Sequence, residues 1–235
     1  MVTSHSNMDP FEIDKFAKLA NVWWNPEGPM RGLHDINPVR IKYMESQVSF
    51  DGKTILDIGC GAGILAESLA KKGARVTGLD MNKAALNIAR LHGETSGCSI
   101  EYLVGSAESL VEEGRRIFDI VACMEVLEHV PFPHSLVRAC RNLVKPGGHV
   151  FFATLNRTRM ATFLAVSVAE RLLKIVAKGT HDPKRFIKPD ELTAWAEEAG
   201  LVKQNLSGVR YIPFGPICYL TRDTSVNYMM HFVLK

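Results

Sequence analysis

The sequence predicts an α/β protein built on a doubly wound, mostly parallel sheet. Three observations carry that prediction. The stretch from Ile55 to Leu65 reads I-L-D-I-G-C-G-A-G-I-L: a buried strand turns through Gly59, Gly61 and Gly63 into an amphipathic helix beginning at Ile64. Four more strand-like runs, R-V-T-G-L-D, I-E-Y-L-V, F-D-I-V-A-C-M and H-V-F-F-A-T-L, follow with helical patterns between most of them. Strands and helices alternating at this rhythm bury a parallel sheet between helical layers. The third observation is size, since 235 residues hold one α/β domain with an insertion but would cramp a second.

The elements follow in order. Asp9-Pro10 is a helix start leading into F-E-I-D-K-F-A-K-L-A, where Phe11, Phe16, Leu19 and Ala20 recur at helical spacing. Trp23-Trp24 precede a turn-rich stretch, N-P-E-G-P-M-R-G, and read either as packing or as a lid over a ligand. Pro38 at a first-turn position predicts a second helix running through Tyr43 to Val48. From Thr54 to Asp80 the pattern is one βαβ unit. Asn82 is the expected N-cap of the next helix, and a helix is expected from Pro133 to Leu143 ahead of K-P-G-G and the fifth strand. After Asn156 the rhythm breaks. Thr162 to Lys178 reads as a helix whose apolar face carries Phe163, Val166, Ala169, Leu172, Leu173 and Val176, with Arg171, Lys174 and Lys178 off it. It is either a core or lid helix or one lying in a membrane interface. A Pro-Asp helix start at Pro189 and two strand-like runs, L-V-K-Q-N-L-S-G and V-N-Y-M-M-H-F-V-L, finish the chain. The whole reads as a single domain, residues 1–235, with residues 1–50 a helical lid and residues 157–188 an insertion.

Composition excludes several classes. The 46% apolar and 23% charged content is that of a folded globular chain, and a net charge of +3 is too small to argue for nucleic acid. Cys60, Cys98, Cys123, Cys140 and Cys218 form no C-x-x-C pair, are odd in number and fall partly in apolar strands, which predicts reduced thiols and a cytoplasmic setting. The N-terminus has neither a signal-peptide core nor transit-peptide character, and no run of 18 apolar residues predicts a membrane span. The expectation is a protein that is soluble or at most attached to a membrane surface.

The glycine turn predicts a nucleotide-like ligand, because glycines admit positive φ and a helix N-terminus directs free N–H groups at what binds there. Asp80 closes the second strand 21 positions after Gly59, where an acidic residue accepts hydrogen bonds from ribose hydroxyls. Two details turn the reading from a dinucleotide toward S-adenosylmethionine. The third glycine of G-x-G-x-G arrives one residue early for G-x-G-x-x-G. Asp57, two residues before Gly59, is awkward beside a pyrophosphate and suits a ligand carrying an ammonium and a sulfonium. Ser106-Ala107-Glu108 lies where an adenine ring could be flanked.

I-L-D-I-G-C-G-A-G with G-L-D and V-K-P-G-G resembles the class I S-adenosylmethionine-dependent methyltransferases, a Rossmann-like family. W-W-N-P-E-G, L-H-D-I-N-P-V-R, C-M-E-V-L-E-H-V, F-F-A-T-L-N-R-T, G-T-H-D-x-x-x-F-I-K-P and V-N-Y-M-M-H resemble, over nearly the whole chain, the ubiquinone biosynthesis O-methyltransferases. Arg171 departs from that pattern, where a tyrosine is expected after Ala169-Glu170. The resemblance implies a seven-stranded sheet with an antiparallel last strand. It implies cofactor contacts at Arg40, Gly59, Asp80 and Met124, with Gly61 in the same loop, and polyprenylated phenols or catechols as substrates. It also implies peripheral attachment to the inner membrane surface and leaves room for other enzymes of the pathway as partners.

A phenol with pKa about 10 must lose its proton on methylation, through a general base or a metal ion on its oxygen. Glu125, Glu128 and His129, at the end of the fourth strand, are the group for this task. On a helix their spacing would place all three on one face, a donor set suited to a divalent ion. The resemblance implies magnesium held by all three and catalytic roles for Glu128 and His129. Whether His129 is ligand or base stays open, and the plainer alternative is a helix whose glutamates cap and whose histidine packs. A soluble catechol methyltransferase, an NAD-dependent oxidoreductase and a non-catalytic scaffold are the competing functions.

Overall fold

Successive side chains of a strand point to opposite faces, and the strands of this chain are apolar at both parities. A computed structural model describes residues 7–114, 117–165, 182–212 and 217–235. In it Ile55, Ile120, Ala122, Phe151, Ala153 and Met229 pack on one face of a sheet, against Val39, Tyr43, Leu65, Leu69, Leu86 and Ala89. Their chain neighbours Leu56, Val121, Cys123, Phe152 and Met230 pack on the other, against Leu136, Val137, Leu192 and Ala196. A sheet apolar on both faces must be covered on both. Helices α2 (Arg31–Glu45), α3 (Ile64–Ala70) and α4 (Lys83–Ser96) cover the first face, and α5 (Ala107–Glu112), α6 (Pro133–Leu143) and α8 (Pro189–Glu198) the second. The first helix, α1, spans Pro10–Ala17, and the short α7 spans Arg159–Thr162.

The strands are β1 (Thr54–Ile58), β2 (Arg75–Asp80), β3 (Glu101–Val104), β4 (Phe118–Met124), β5 (Val144–Leu155), β6 (Leu201–Ile212), β7 (Ile217–Thr221) and β8 (Asn227–Leu234). Their order is β3-β2-β1-β4-β5-β8-β6-β7. The first five run parallel, while β8 is antiparallel to both β5 and β6. The expected fold class is therefore observed, antiparallel last strand included, with one strand more than the seven expected. The extra strand is β7, which returns antiparallel along β6 at the sheet edge. Its run I-C-Y-L-T follows P-F-G-P, and two prolines in four residues read as loop.

Two boundaries moved for physical reasons. α2 starts at Arg31, so Pro38 lies inside the helix instead of opening it. An interior proline disfavours a helix by about 3 kcal/mol, and burial of Ile36, Val39, Ile41, Tyr43 and Met44 on the sheet outweighs that. β5 begins at Val144, so K-P-G-G, with Gly147 at φ 74°, is carried inside the strand. Other expected starts are observed: Asp9 caps α1 by accepting from the Phe11 N–H at 3.1 Å, and α6 has the expected bounds. All five cysteines are free thiols. Most of the expected interfacial helix, with Arg171, Lys174, Lys178 and the neighbouring His181, lies outside the described residues. Among the described residues no helix is long and apolar enough to cross a membrane.

His149 on β5 and His231 on β8 meet ring to ring, His149 Nδ1 lying 2.9 Å from His231 Nε2. His231 stacks on Phe151 at 4.5 Å. Burial, reinforced by His149, pushes the His231 pKa down to about 4. The unfolded chain, with an ordinary value near 6.5, therefore binds more protons than the fold between those limits. The stability tied to a neutral His231 is complete above about pH 6.5 and is lost as the pH falls toward 4. His231→Phe should flatten this acid loss by an amount on the order of 1–3 kcal/mol, read as urea midpoints at pH 5 and pH 7.5.

Candidate active site

Strand order reverses between β1 and β4, so a crevice opens at their carboxyl ends, where open α/β sheets bind ligands. The glycines of the β1–α3 turn take the expected conformation: φ is 69° at Gly59, 53° at Gly61 and 89° at Gly63. What crowds them is protein. A Cβ on Gly59 would lie 2.3 Å from Val126 Cγ2, and one on Gly61 would lie 2.4 Å from Trp23 Cζ2. The tryptophans thus pack on the loop. Trp23 is buried, and Trp24 donates from Nε1 to the Ala62 carbonyl at 2.8 Å.

Asp80, at the end of β2, accepts from the Gly61 N–H at 2.8 Å and from the Asn82 N–H at 2.7 Å. The cap role falls to Asn82, whose side chain accepts from the Ala85 N–H at 3.1 Å, as expected. Burial raises the Asp80 pKa, opposed by those backbone donors. Asp80 therefore shapes the loop besides facing the crevice. Asp80→Ala should leave buried donors without their acceptor and destabilise the fold by about 1–3 kcal/mol, measured by urea unfolding with no ligand present.

The loop opens on a cavity of about 710 Å³. Every candidate residue lies on its wall: Arg40, Gly59, Gly61, Asp80 and Met124, and also Glu125, Glu128 and His129. Arg40 Nε and Asp57 Oδ2 are among the buried polar atoms of that wall that have no hydrogen-bond partner among the described residues. Burial pushes the Asp57 pKa up to about 7, with Arg40 lowering it and Asp80 raising it. Buried polar groups are nearly always paired, so this wall fits a ligand offering both a cationic donor and an acceptor. S-adenosylmethionine, with its ammonium and carboxylate, has that character.

The end of β4 differs from the expectation. Glu125, Glu128 and His129 do not share a helix face, because the chain makes only a 3-10 turn at Leu127–His129. Glu125 sits at φ 58°, a left-handed conformation that strains a residue with a Cβ by about 1–2 kcal/mol. Its carboxylate pairs with Arg40 Nη2 at 3.2 Å. Leu127 and Glu128 are both buried, and Glu128 Oε2 accepts from Thr154 Oγ1 at 2.9 Å. Burial first, and the nearby Glu125 charge second, raise the Glu128 pKa well above the usual carboxylate range. His129 turns to α1, its Nδ1 lying 2.8 Å from Glu12 Oε2. Burial opposes ionisation of Glu12, but bonds from His129 and Lys15 outweigh it and hold its pKa near 2.

Arg40, Thr154 and Glu12 are thus among the partners of the three side chains. Among the described residues no group of three His, Cys, Asp or Glu is arranged to hold a metal ion. As placed, the expected magnesium set does not fit. Sequence reasoning also missed Glu12, Phe16 and Val126 on this wall. No local signal marks Glu12, which reaches the site only through the docking of α1.

A cavity at the switch point, with a glycine turn, an acidic strand end and no dinucleotide glycine spacing, defines the class of fold that methyltransferases use. The family model for a methyltransferase domain matches residues 39–206. The chain is similar in fold to magnesium protoporphyrin IX methyltransferase from Synechocystis with bound SAH, at TM-score 0.69 and 16% identity over 96% of each chain. A possible histamine N-methyltransferase from Thermotoga maritima gives TM-score 0.66 at 14% identity, covering 96% of this chain and 99% of that one. In sequence it is 51% identical, over 96% of this chain and 97% of the relative, to a ubiquinone biosynthesis O-methyltransferase of Chromobacterium violaceum. Enzymes of the same name from Pseudomonas entomophila and Aliivibrio fischeri are 49% and 47% identical, over 96% and 99% of this chain and 97% and 100% of their own lengths. The chain belongs to the ubiquinone biosynthesis O-methyltransferase family.

Proposed function

We propose that this enzyme transfers a methyl group from S-adenosylmethionine to a phenolic hydroxyl of polyprenylated intermediates of ubiquinone synthesis, at the 2-polyprenyl-6-hydroxyphenol and 3-demethylubiquinol stages. One observation carries the reading. The glycine loop with Asp80 and the β4 end with Glu128 and His129 open into one cavity, in a chain related over nearly its full length to enzymes of that pathway.

Bound S-adenosylmethionine supplies a methyl group on a sulfonium, whose thioether leaves without an acid. The reaction forms an O–CH₃ bond, breaks an S–CH₃ bond and releases the phenolic proton to the protein. In this reading Arg40, Asp57, Gly59, Gly61, Asp80 and Met124 hold the donor, so that acceptor and methyl meet in a near-attack arrangement. His129 takes the phenolic proton. Glu128, whose Oε1 has no hydrogen-bond partner among the described residues, contacts the acceptor's oxygen. The N-terminal segment serves as a lid, since Asn7, Asp9, Glu12 and Phe16 lie on the cavity wall. Leu155, Leu164, Val209, Ile212 and Tyr219 give the same wall an apolar stretch suited to an isoprenoid. Peripheral attachment at the cytoplasmic face of the inner membrane follows from that substrate, with the apolar stretch of residues 162–178, which carries Arg171, Lys174 and Lys178, as the contact.

The test is transfer of labelled methyl to a prenylated catechol and to its tail-free analogue, each with magnesium or with excess chelator. The reading predicts preference for the prenylated acceptor. Transfer only to the tail-free analogue would select a soluble catechol methyltransferase. Loss of transfer with chelator would restore the magnesium requirement, and persistence would support His129 as sole proton acceptor.

A further inference from the structure

The cavity follows the carboxyl ends of the strands across the sheet. β6 is parallel to β5, since both run antiparallel to β8, so its end lies on the same side. Asp80 on β2, Met124 on β4, Leu155 on β5, Val209 and Ile212 on β6 and Tyr219 on β7 all line the wall. The chemistry changes along it. Asp57 and Asp80 stand at the β1–β2 end, and Glu125, Glu128 and His129 follow β4. Beyond β4 the wall carries Leu155, Val209, Ile212 and Val226, and the charged Arg210 and Asp223 pair with each other at 3.2 Å. Four inter-strand steps separate β4 from β7, about 19 Å at about 4.8 Å a step.

At the far end the wall opens onto an apolar patch. Residues opposite each other in an antiparallel pair share a face, as do residues two apart. Ile212 pairs with Ile217 and Arg210 with Tyr219, so Ile212, Ile217 and Tyr219 lie together. Val209, Cys218 and Leu220 pack on the other face, with Val39 and Tyr43 of α2. Ile212, Ile217 and Tyr219 are 38%, 53% and 45% exposed, and the first and last are also wall residues. They continue the apolar path from the cavity to the surface. The way out under α1 is strapped instead. Asn7 donates to Glu108 Oε1 at 2.7 Å and to the Phe132 carbonyl at 3.0 Å, and Asp9 pairs with Arg185 at 2.8 Å.

We infer that the β6–β7 pair selects the acceptor's tail, with Ile212, Ile217 and Tyr219 as the subsite for its distal isoprene units. This rests on the proposed function. A ring at the β4 end meets the donor on its β1 side, so its tail runs toward β5 and beyond. The first isoprene unit lies within the cavity, on Leu155 and Val209. Later units reach the patch and remove it from water. Ile217, which is not a wall residue, is met by long tails alone.

The test measures kcat/KM of full-length wild type, Ile217→Ser and Tyr219→Ser for catechols carrying one, two or three isoprene units, without lipid. Wild type should gain with each unit. In each variant the ratio of three-unit to one-unit kcat/KM should fall about 10-fold. A merely structural effect would lower both values and leave the ratio unmoved. A ratio within twofold of wild type in either variant overturns the inference, and so does a loss that appears only when lipid vesicles are added, which would mean that the patch meets a membrane. Both results leave the proposed function standing, whereas a wild type indifferent to the tail overturns both. If the variants fail to fold, a diazirine at the end of a three-unit tail decides on wild type. Labelling within residues 206–221 supports the inference, and labelling elsewhere, α1 included, refutes it.

Discussion

Gly61→Val should abolish donor binding and destabilise the fold by about 2–5 kcal/mol. The number has two parts. A β-branched residue at φ 53° is strained by about 1–2 kcal/mol. The added Cβ would lie 2.4 Å from Trp23 Cζ2. That ring is buried, so overpacking adds about 1–3 kcal/mol. The functional loss comes from the loop itself. Gly61 N–H donates to Asp80 at 2.8 Å, so displacing the turn moves two residues of the cavity wall that the proposed function assigns to the donor. Urea unfolding reads the first effect and a titration with S-adenosylhomocysteine reads the second. Gly114, with φ 66° and open space around its Cβ, is the control: substitution there strains the backbone but leaves the donor site intact.

His129→Ala should lower kcat by about 10²- to 10⁴-fold, the range that a positioned general base contributes. Its KM for the donor should change little, because the side chain turns to Glu12 and Phe16 and not to the glycine loop. A steady-state assay at saturating donor measures it. A loss in kcat/KM with kcat unchanged would instead mean that His129 contributes only to binding.

The glycine-turn side of this cavity was legible in the sequence because it is local. β1, the glycine turn and α3 lie within Thr54–Ala70, and positive φ at Gly59, Gly61 and Gly63 has a direct compositional signal. Asp80 and Asn82 share one short turn: the spacing from Gly59 pointed to Asp80 as the ligand-facing carboxylate, and capping chemistry pointed to Asn82 as the helix cap, the role it fills. The reactive side was less legible because it depends on long-range packing. The E-V-L-E-H run would place its carboxylates on one face only as an α-helix. In the fold Val126 lies over Gly59 and Leu127 enters the core, which leaves room for a 3-10 turn alone and sends Glu125 to Arg40. Glu12 lies 117 residues from His129, beyond any spacing rule. β7 was masked by its flanking prolines, and the start of α2 by the weight given to Pro38 as a helix opener.

The central claim is a division of labour within one cavity: the β1 and β2 ends hold the donor, and the β4 end does the chemistry. A calorimetric titration of S-adenosylmethionine into His129→Ala tests it most directly. The account predicts wild-type affinity in a protein whose methyl transfer has fallen by orders of magnitude. Donor affinity that falls in step with the rate would contradict it.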